Sequence, residues 1–175
     1  MMEKPQTAHV DGPAWDLSKY SRGDWTPGRS WIVRFLWYYT SLLLFESAIL
    51  PVSTPKIWIL RLFGASVGVG VNIKPNVRIK FPWRLVLGDH TWIGQEVWID
   101  NLATVSIGSH CCISQGVYIC TGSHDFKRND FRLKVGEITI ADQSWACCRC
   151  TILAGTRVPP RSILSACSLV SPGSI

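Results

Sequence analysis

Residues 67–175 predict an all-β solenoid of triangular cross-section, and three observations carry that prediction. Aliphatic residues recur every six positions: Val67, Ile73, Ile79; Leu87, Ile93, Ile99; Ile107, Ile113, Ile119; then Ile140, Ala146, Ile152, Val158, Leu164 and Val170. A small or β-branched residue follows each by four positions, from Val71 and Val77 to Ser168 and Ser174, with Trp83 the one exception. The steps from Ile79 to Leu87 and from Ile99 to Ile107 are eight residues rather than six, so the unit is a coil of three hexads with one enlarged corner. Self-similarity at a fixed period marks a stacked repeat architecture. Three short strands per coil put the aliphatic residue inside a prism and the small residue at a bend, with layers about 4.8 Å apart. About five coils fit residues 67–175.

The elements follow in order. Residues 1–30 are rich in Pro, Gly and Asp and predict an extended arm. Residues 31–50 (WIVRFLWYYTSLLLFESAIL) predict a helix stopped by Pro51, with Arg34, Tyr38 and Ser41 on one side and a broad apolar face opposite. Arg34 and Glu46 inside the stretch favour packing on the domain or lying on a membrane over spanning one. Residues 55–63 (PKIWILRLF) predict a second short helix. The chain therefore divides into an N-terminal region, 1–66, and a solenoid domain, 67–175. Between Ile119 and Ile140 lie 21 residues where 18 would keep the count, so a loop over about 120–138 leaves the prism. Loops on a rigid scaffold are where binding and catalysis concentrate.

Composition narrows the function classes. Of 175 residues, 17% are charged and 47% hydrophobic, with nine Trp. Charge so far below the usual ~25% excludes disorder and leaves apolar surface for another subunit or a membrane. The net charge of +6 is spread out; its nearest approach to a cluster is Lys127, Arg128, Arg132 and Lys134. Without a basic helix, zinc-finger spacing or an aromatic-interleaved basic stripe, this charge suits an anionic ligand or an acidic membrane better than nucleic acid. The opening MMEKPQTAHVDGPAWD has no apolar signal core, which predicts a cytoplasmic protein. Seven Cys, an odd number, read as small apolar residues of a reducing compartment; Cys147-x-x-Cys150 has no second pair to complete a zinc site. His90 and His110 occupy the same hexad position twenty residues apart and are expected to stack. The next coil has Gln143 there, so no metal site is expected.

The hexad pattern resembles the left-handed parallel β-helix acyltransferases of the hexapeptide-repeat family. Left-handedness enters through that resemblance, since the general crossover rule favours the opposite hand. DLSKYSRGDWTPGR, LRLFGASVGVGVNIKPNVRIKFPW and GDHTWIGQEVWIDNLATVSIG look like one subgroup, the exopolysaccharide sugar O-acetyltransferases of the colanic acid type. The resemblance implies an acetyl-CoA-dependent transfer to a sugar hydroxyl by a homotrimer. It makes His124, in Thr-Gly-Ser-His-Asp, the general base, and an ordinary imidazole titrating near 6.5 suits that task. It makes Asp100 and Asn101 acceptor-side or His-positioning residues, though Asp-Asn is also an ordinary corner. It assigns Trp145, Cys148, Ala166 and Ser171 to the coenzyme groove. The run Ala146-Cys147-Cys148-Arg149-Cys150 departs from the family's Gly-containing one, and Arg149, Arg157 and Arg161 read either as contacts for CoA phosphates or as a solvated face. The loop cations could meet an anionic acceptor such as a diphosphate-linked sugar. The 31–50 helix could hold the enzyme peripherally at the inner membrane face. The chain stops at Ser-Pro-Gly-Ser-Ile175, where relatives continue, so the expected last coil is uncapped. Two alternatives stay open: acetylation of a small-molecule or xenobiotic hydroxyl, and a non-catalytic hexapeptide-repeat scaffold.

Overall fold

The computed structural model describes residues 13–174; the first part of the expected arm, residues 1–12, and Ile175 lie outside the described residues. Its backbone is a parallel solenoid of five coils, built from three sheets of five strands each. The first sheet holds Ser66–Val67, Leu85–Leu87, Val105–Ile107, Ile138–Ile140 and Arg157–Val158. The second holds Asn72–Ile73, Trp92–Ile93, Cys112–Ile113, Trp145–Ala146 and Ile163–Leu164. The third holds Arg78–Ile79, Trp98–Asp100, Tyr118–Cys120, Thr151–Leu153 and Leu169–Val170. Register follows the hexads: Ile73, Ile93, Ile113, Ala146 and Leu164 stand above one another, and all are buried.

Strands this short need sharp corners, and the backbone shows how they are made. Asn76, Glu96 and Cys167 between the second and third sheets have φ of 58–60°, and Arg149 has 55°. His90, His110, Gln143 and Arg161 between the first and second sheets also adopt the left-handed region. In such a conformation one residue reverses the chain without lengthening the turn. The His90 and His110 rings stack as expected, with centroids 5.2 Å apart and planes 22° from parallel. Among the described residues no group of three His, Cys, Asp or Glu is arranged to hold a metal ion.

The small-residue column behaves differently at the enlarged corner between the third and first sheets. Val71, Val77, Thr91, Val97, Cys111 and Val117 are buried, but Ala103 is half-buried and Ser123 exposed. There the buried positions are Asn101 and Thr121, immediately after the strand, and Leu85, Val105 and Ile138, which begin the next one. Two extra residues per turn displace the inward position, so the rule of four holds only for six-residue steps.

The first coil would otherwise end in open strand edges, a liability for a sheet protein. In a parallel ladder alternate residues aim both backbone groups at one neighbour, so Val67, Ile73 and Ile79 face away from the second coil. Helix α2 (Ser53–Leu62) supplies partners for the first two. Ser53 Oγ accepts from Ile73 N (2.9 Å), Lys56 Nζ donates to Lys74 O (3.0 Å) and Ile73 O (3.4 Å), and Arg61 Nη2 donates to Val67 O (2.7 Å). Lys56 is fully buried, and the loss of water pushes its ammonium below its ordinary value. Helix α1 (Trp31–Leu44) covers the third side: Trp37 Nε1 donates to Ile79 O at 2.9 Å, and Trp37 packs edge-on against Phe45 and Phe63.

Helix α1 ends six residues earlier than the apolar run suggests. Ser41 O accepts from both Phe45 N and Glu46 N at 2.9 Å, and Phe45 turns into the core, where its own carbonyl accepts from Val77 N. Its fourteen residues span about 21 Å. Among the described residues no helix is long and apolar enough to cross a membrane.

Contacts group the chain into two compact units, 27–123 with 135–174 and 13–26 with 124–134. Both helices thus belong with the solenoid, and the loop belongs with the arm.

Candidate active site

Within the solenoid unit, the enlarged corner carries Asp100, Asn101 and Ser171. Asp100 and Asn101 belong to the second coil. Asn101 is fully buried: its Nδ2 donates to Phe81 O (2.7 Å) and Arg84 O (3.2 Å), and its Oδ1 accepts from Phe81 N (2.9 Å). Every polar atom of the amide is thereby used to hold the Phe81–Arg84 corner one layer below. Asp100 is partly exposed. Its Oδ1 lies 2.8 Å from Lys80 Nζ, an ion pair whose angles fall short of a hydrogen bond, and Tyr118 Oη donates to Oδ2 at 3.4 Å. Burial, the nearby Cys120 thiol and then the Asp100 charge raise the Tyr118 phenol well above its ordinary value, so it stays a donor. Thr121 is buried, and its Oγ1 donates to Asp100 O (2.9 Å) while accepting from Ala103 N (3.0 Å).

In the third coil the same corner opens into the predicted loop. The strands Gly122–His124 and Leu133–Val135 form a two-stranded ribbon. The chain rejoins the solenoid at Gly136, whose N–H donates to Thr121 O at 2.9 Å. A Cβ there would meet Gly155 N at 2.6 Å, so no side chain fits at this point of return.

His124 stands on the outgoing strand, in the unit formed by the loop and the arm. Its Nδ1 lies 3.1 Å from Phe131 O, and its ring stacks on Phe131 with centroids 4.4 Å apart and planes 8° from parallel. Tyr20 of the arm meets the imidazole with centroids at 5.8 Å. A carbonyl only accepts, so the hydrogen bond places the proton of the neutral ring on Nδ1 and leaves a lone pair on Nε2. Phe131 achieves this at φ 41°, a left-handed conformation that is costly for a bulky residue. The strain is sustained by lacing. Asp125 N donates to Arg132 O, Leu133 N to Ser21 O, Asp16 N to Asn129 O, and Trp15 Nε1 to Phe126 O.

The loop cations are mostly engaged inside the loop. Arg128 pairs with Asp130 at 2.8 Å, Arg132 lies 3.6 Å from the same carboxylate, and Lys134 lies 3.1 Å from Asp125. Lys134 holds the Asp125 carboxyl below its ordinary value, and Arg128 does the same for Asp130. Only Lys127, of the four, has its side-chain charge without an ion pair among the described residues.

Of the four coenzyme-groove candidates, three share one edge. Trp145, Cys148 and Ala166 lie at or beside the corner between the second and third sheets in the last two coils, with Arg149 between Cys148 and Cys150. Cys167 N donates to Cys148 O (3.0 Å), which joins the layers there, and Trp145 Nε1 donates to Ser114 Oγ (2.8 Å) one coil below. Ser171 lies at the enlarged corner instead, on the edge that carries Asp100. Arg157 belongs to the first sheet and Arg161 to the corner after it, so only Arg149 accompanies the three.

Sequence reasoning missed Phe131 and Tyr20. An aromatic in a polar loop carries no periodic signal. The 20-residue coil period does put Cys120 and Thr121 level with Asp100 and Asn101, and the structure pairs Asp100 with Cys120.

A parallel solenoid of about five coils is the architecture of hexapeptide-repeat acetyltransferases. The acetyltransferase VCA0836 of Vibrio cholerae, solved with acetyl coenzyme A, superposes with a TM-score of 0.70 over 79% of this chain and 76% of that one, at 22% identity. A maltose O-acetyltransferase of Clostridium difficile gives 0.60 over 77% and 83%, at 16% identity. No family model matches the chain. The chain belongs to the acetyltransferase family of the Escherichia coli K12 protein named "Putative colanic acid biosynthesis acetyltransferase WcaF", with 34% identity over 155 residues, 89% of this chain and 85% of that protein. The Shigella flexneri protein of the same name matches to the same extent.

Proposed function

We propose that the protein transfers an acetyl group from acetyl-CoA to a hydroxyl of a saccharide acceptor in exopolysaccharide synthesis, with His124 as general base. The observation that carries this is the Nδ1 contact to Phe131 O, which leaves Nε2 as the basic nitrogen. Acetyl-CoA supplies the acetyl thioester. Nε2 takes the proton of the acceptor hydroxyl as its oxygen bonds to the acetyl carbon. The imidazolium then gives that proton to the departing thiolate, which restores the neutral ring. Phe131 and Tyr20 hold the imidazole against rotation, and the fixed tautomer means no proton must be rearranged first.

Asp100 is assigned to the acceptor side, and Asn101 acts behind it by holding the corner. The shelf of Trp145, Cys148 and Ala166 suits a coenzyme: two small side chains beside an exposed indole, with Arg149 adjacent for a phosphate. Ser171, on the other edge, suits the end of the coenzyme nearest the acceptor. Exposed Trp92, Trp145 and Ile163 form an apolar column on the second sheet that supports a homotrimer with the groove between subunits. Exposed Trp31, Phe35, Leu36 and Leu43 on α1 support peripheral attachment at the inner membrane face. Thiol release from acetyl-CoA with saccharide acceptors tests the reading. His124→Ala should lose about 10²–10⁴ in kcat, and equal, appreciable rates for native and variant would remove His124 from catalysis.

A further inference from the structure

The two helices that seal the first coil are apolar on both sides. Their buried sides, Lys56 and Leu60 on α2 and Trp37 and Ser41 on α1, turn toward the solenoid. At about 100° per residue, the positions opposite are Trp58 and Leu62 on α2, and Ile32, Phe35, Tyr39 and Leu43 on α1. All six are exposed, Leu62 by 83% and Trp58 by 65%. A helix that gives one apolar side to a core normally keeps polar residues on the other. Here more than half of the large apolar side chains exposed among the described residues lie between Trp31 and Val69. Both helices take backbone partners on the open end of the first coil, α2 at Val67 and Ile73 and α1 at Ile79. Their bare sides therefore turn away from the solenoid at that same end.

Charge follows the same asymmetry. Residues 27–84, which include both helices and the first coil, carry eight Lys or Arg and one acid, Glu46. The rest of the chain carries ten and eleven, so the net charge of +6 resides wholly at this end. Glu46 is engaged by Arg78, 3.5 Å away. Arg29, Arg34, Arg61 and Lys74 are exposed and have no ion pair among the described residues. Arg61 lies over the Trp58 ring at 5.5 Å while donating to Val67 O and Gly68 O, and Arg29 lies beside Gly64 just past α2. Cations thus border the apolar side chains.

We infer that this end docks on an anionic lipid surface, with α1 and α2 lying together in the interface. Trp58, Leu62 and the α1 stripe sit below the headgroups, and the unpaired cations sit among the lipid phosphates. The inference rests on the peripheral attachment proposed above and deepens it: it adds α2, names the lipid charge and fixes which end of the solenoid meets the membrane. Apolar burial and attraction to anionic headgroups act together on such a surface. A second copy of the chain is a poorer occupant, because pairing this end with itself sets eight cations against eight with one acid on each side.

Co-sedimentation of the full chain with sucrose-loaded vesicles tests this, using phosphatidylcholine alone and phosphatidylcholine with about one-third phosphatidylglycerol. Each cation near an anionic surface is worth about fivefold, so two or more engaged cations predict at least ~25-fold tighter binding to the anionic vesicles at about 0.05 M salt. Raising the salt to about 0.5 M should remove most of that advantage. Arg34→Gln with Lys74→Gln should weaken anionic binding about 25-fold and leave phosphatidylcholine binding unchanged. Trp58→Ser with Leu62→Ser should weaken binding to both vesicles by about tenfold or more. Leu62→Asp, at the most exposed position, should do the same to anionic binding, and serves if the double variant unfolds. If the α2 variants bind like native while Phe35→Ser with Leu43→Ser loses binding, or if both vesicles bind native protein alike, attachment through α1 stands and this inference falls. If native protein binds neither vesicle, both fall. The inference is also overturned if the two-cation variant keeps the native preference. It is overturned too if vesicles bind nothing and Leu62→Asp dissociates an oligomer in sedimentation velocity without lipid, which would assign the end to a second copy.

Discussion

Gly136→Ala tests how the loop that carries His124 is anchored. A methyl group built on Gly136 would sit 2.6 Å from Gly155 N, 3.1 Å from Ala154 C and 3.1 Å from Gly155 Cα. All three atoms are backbone in the adjoining coil, so no side chain can rotate away. Ordinary contact needs about 3.5 Å, so Gly136 and Gly155 must part by roughly 0.9 Å. Overpacking of this kind costs about 1–3 kcal/mol. For a chain of this size each kcal/mol shifts the midpoint by roughly 2–4 °C, so the expected loss is about 2–12 °C. Scanning calorimetry or circular dichroism at one protein concentration measures it. A midpoint within 1 °C of native (about 0.3 kcal/mol) would show that the coils part freely at this corner.

Two further outcomes follow from side-chain environments. Phe131→Ala removes the ring that supports the imidazole while keeping the carbonyl; a stacked pair worth about 0.5–1.5 kcal/mol predicts a kcat roughly 2–12-fold lower with acetyl-CoA KM unchanged. Unchanged kcat would mean that the hydrogen bond alone orients His124. Burial raises both the Cys111 and Cys150 thiols in the folded protein. The unfolded chain therefore loses these protons first, and the stability that they contribute is complete below about pH 8.5, then falls as pH rises through the folded values. Urea unfolding from pH 7 to 10 should show that decline, with a shallower slope in Cys150→Ala; parallel slopes would exclude Cys150 as a source.

Much of this architecture was open to reading because hexads are local. Inward Ile113 or Ile119 needs only the next coil to confirm it, and every coil repeats the same test. The cap could not be read that way. Ser53, Lys56 and Arg61 look like an ordinary polar helix face until the outward backbone groups of Val67 and Ile73 appear beside them. The same holds for Asn101, legible as a corner residue but not as the clamp on Phe81 and Arg84.

For the site, sequence alone placed a histidine at the root of a loop and gave a resemblance to a family that makes it the expected base. It could not say which nitrogen is basic, since that depends on Phe131 O, brought to the ring by a left-handed turn seven residues away. Nor could it show that Asp125 and Asp130 engage most of the loop's positive charge. Periodicity determined the prism because one short rule is repeated fifteen times. Tertiary structure decided tautomer and charge pairing, because each depends on a single contact between residues that no period relates.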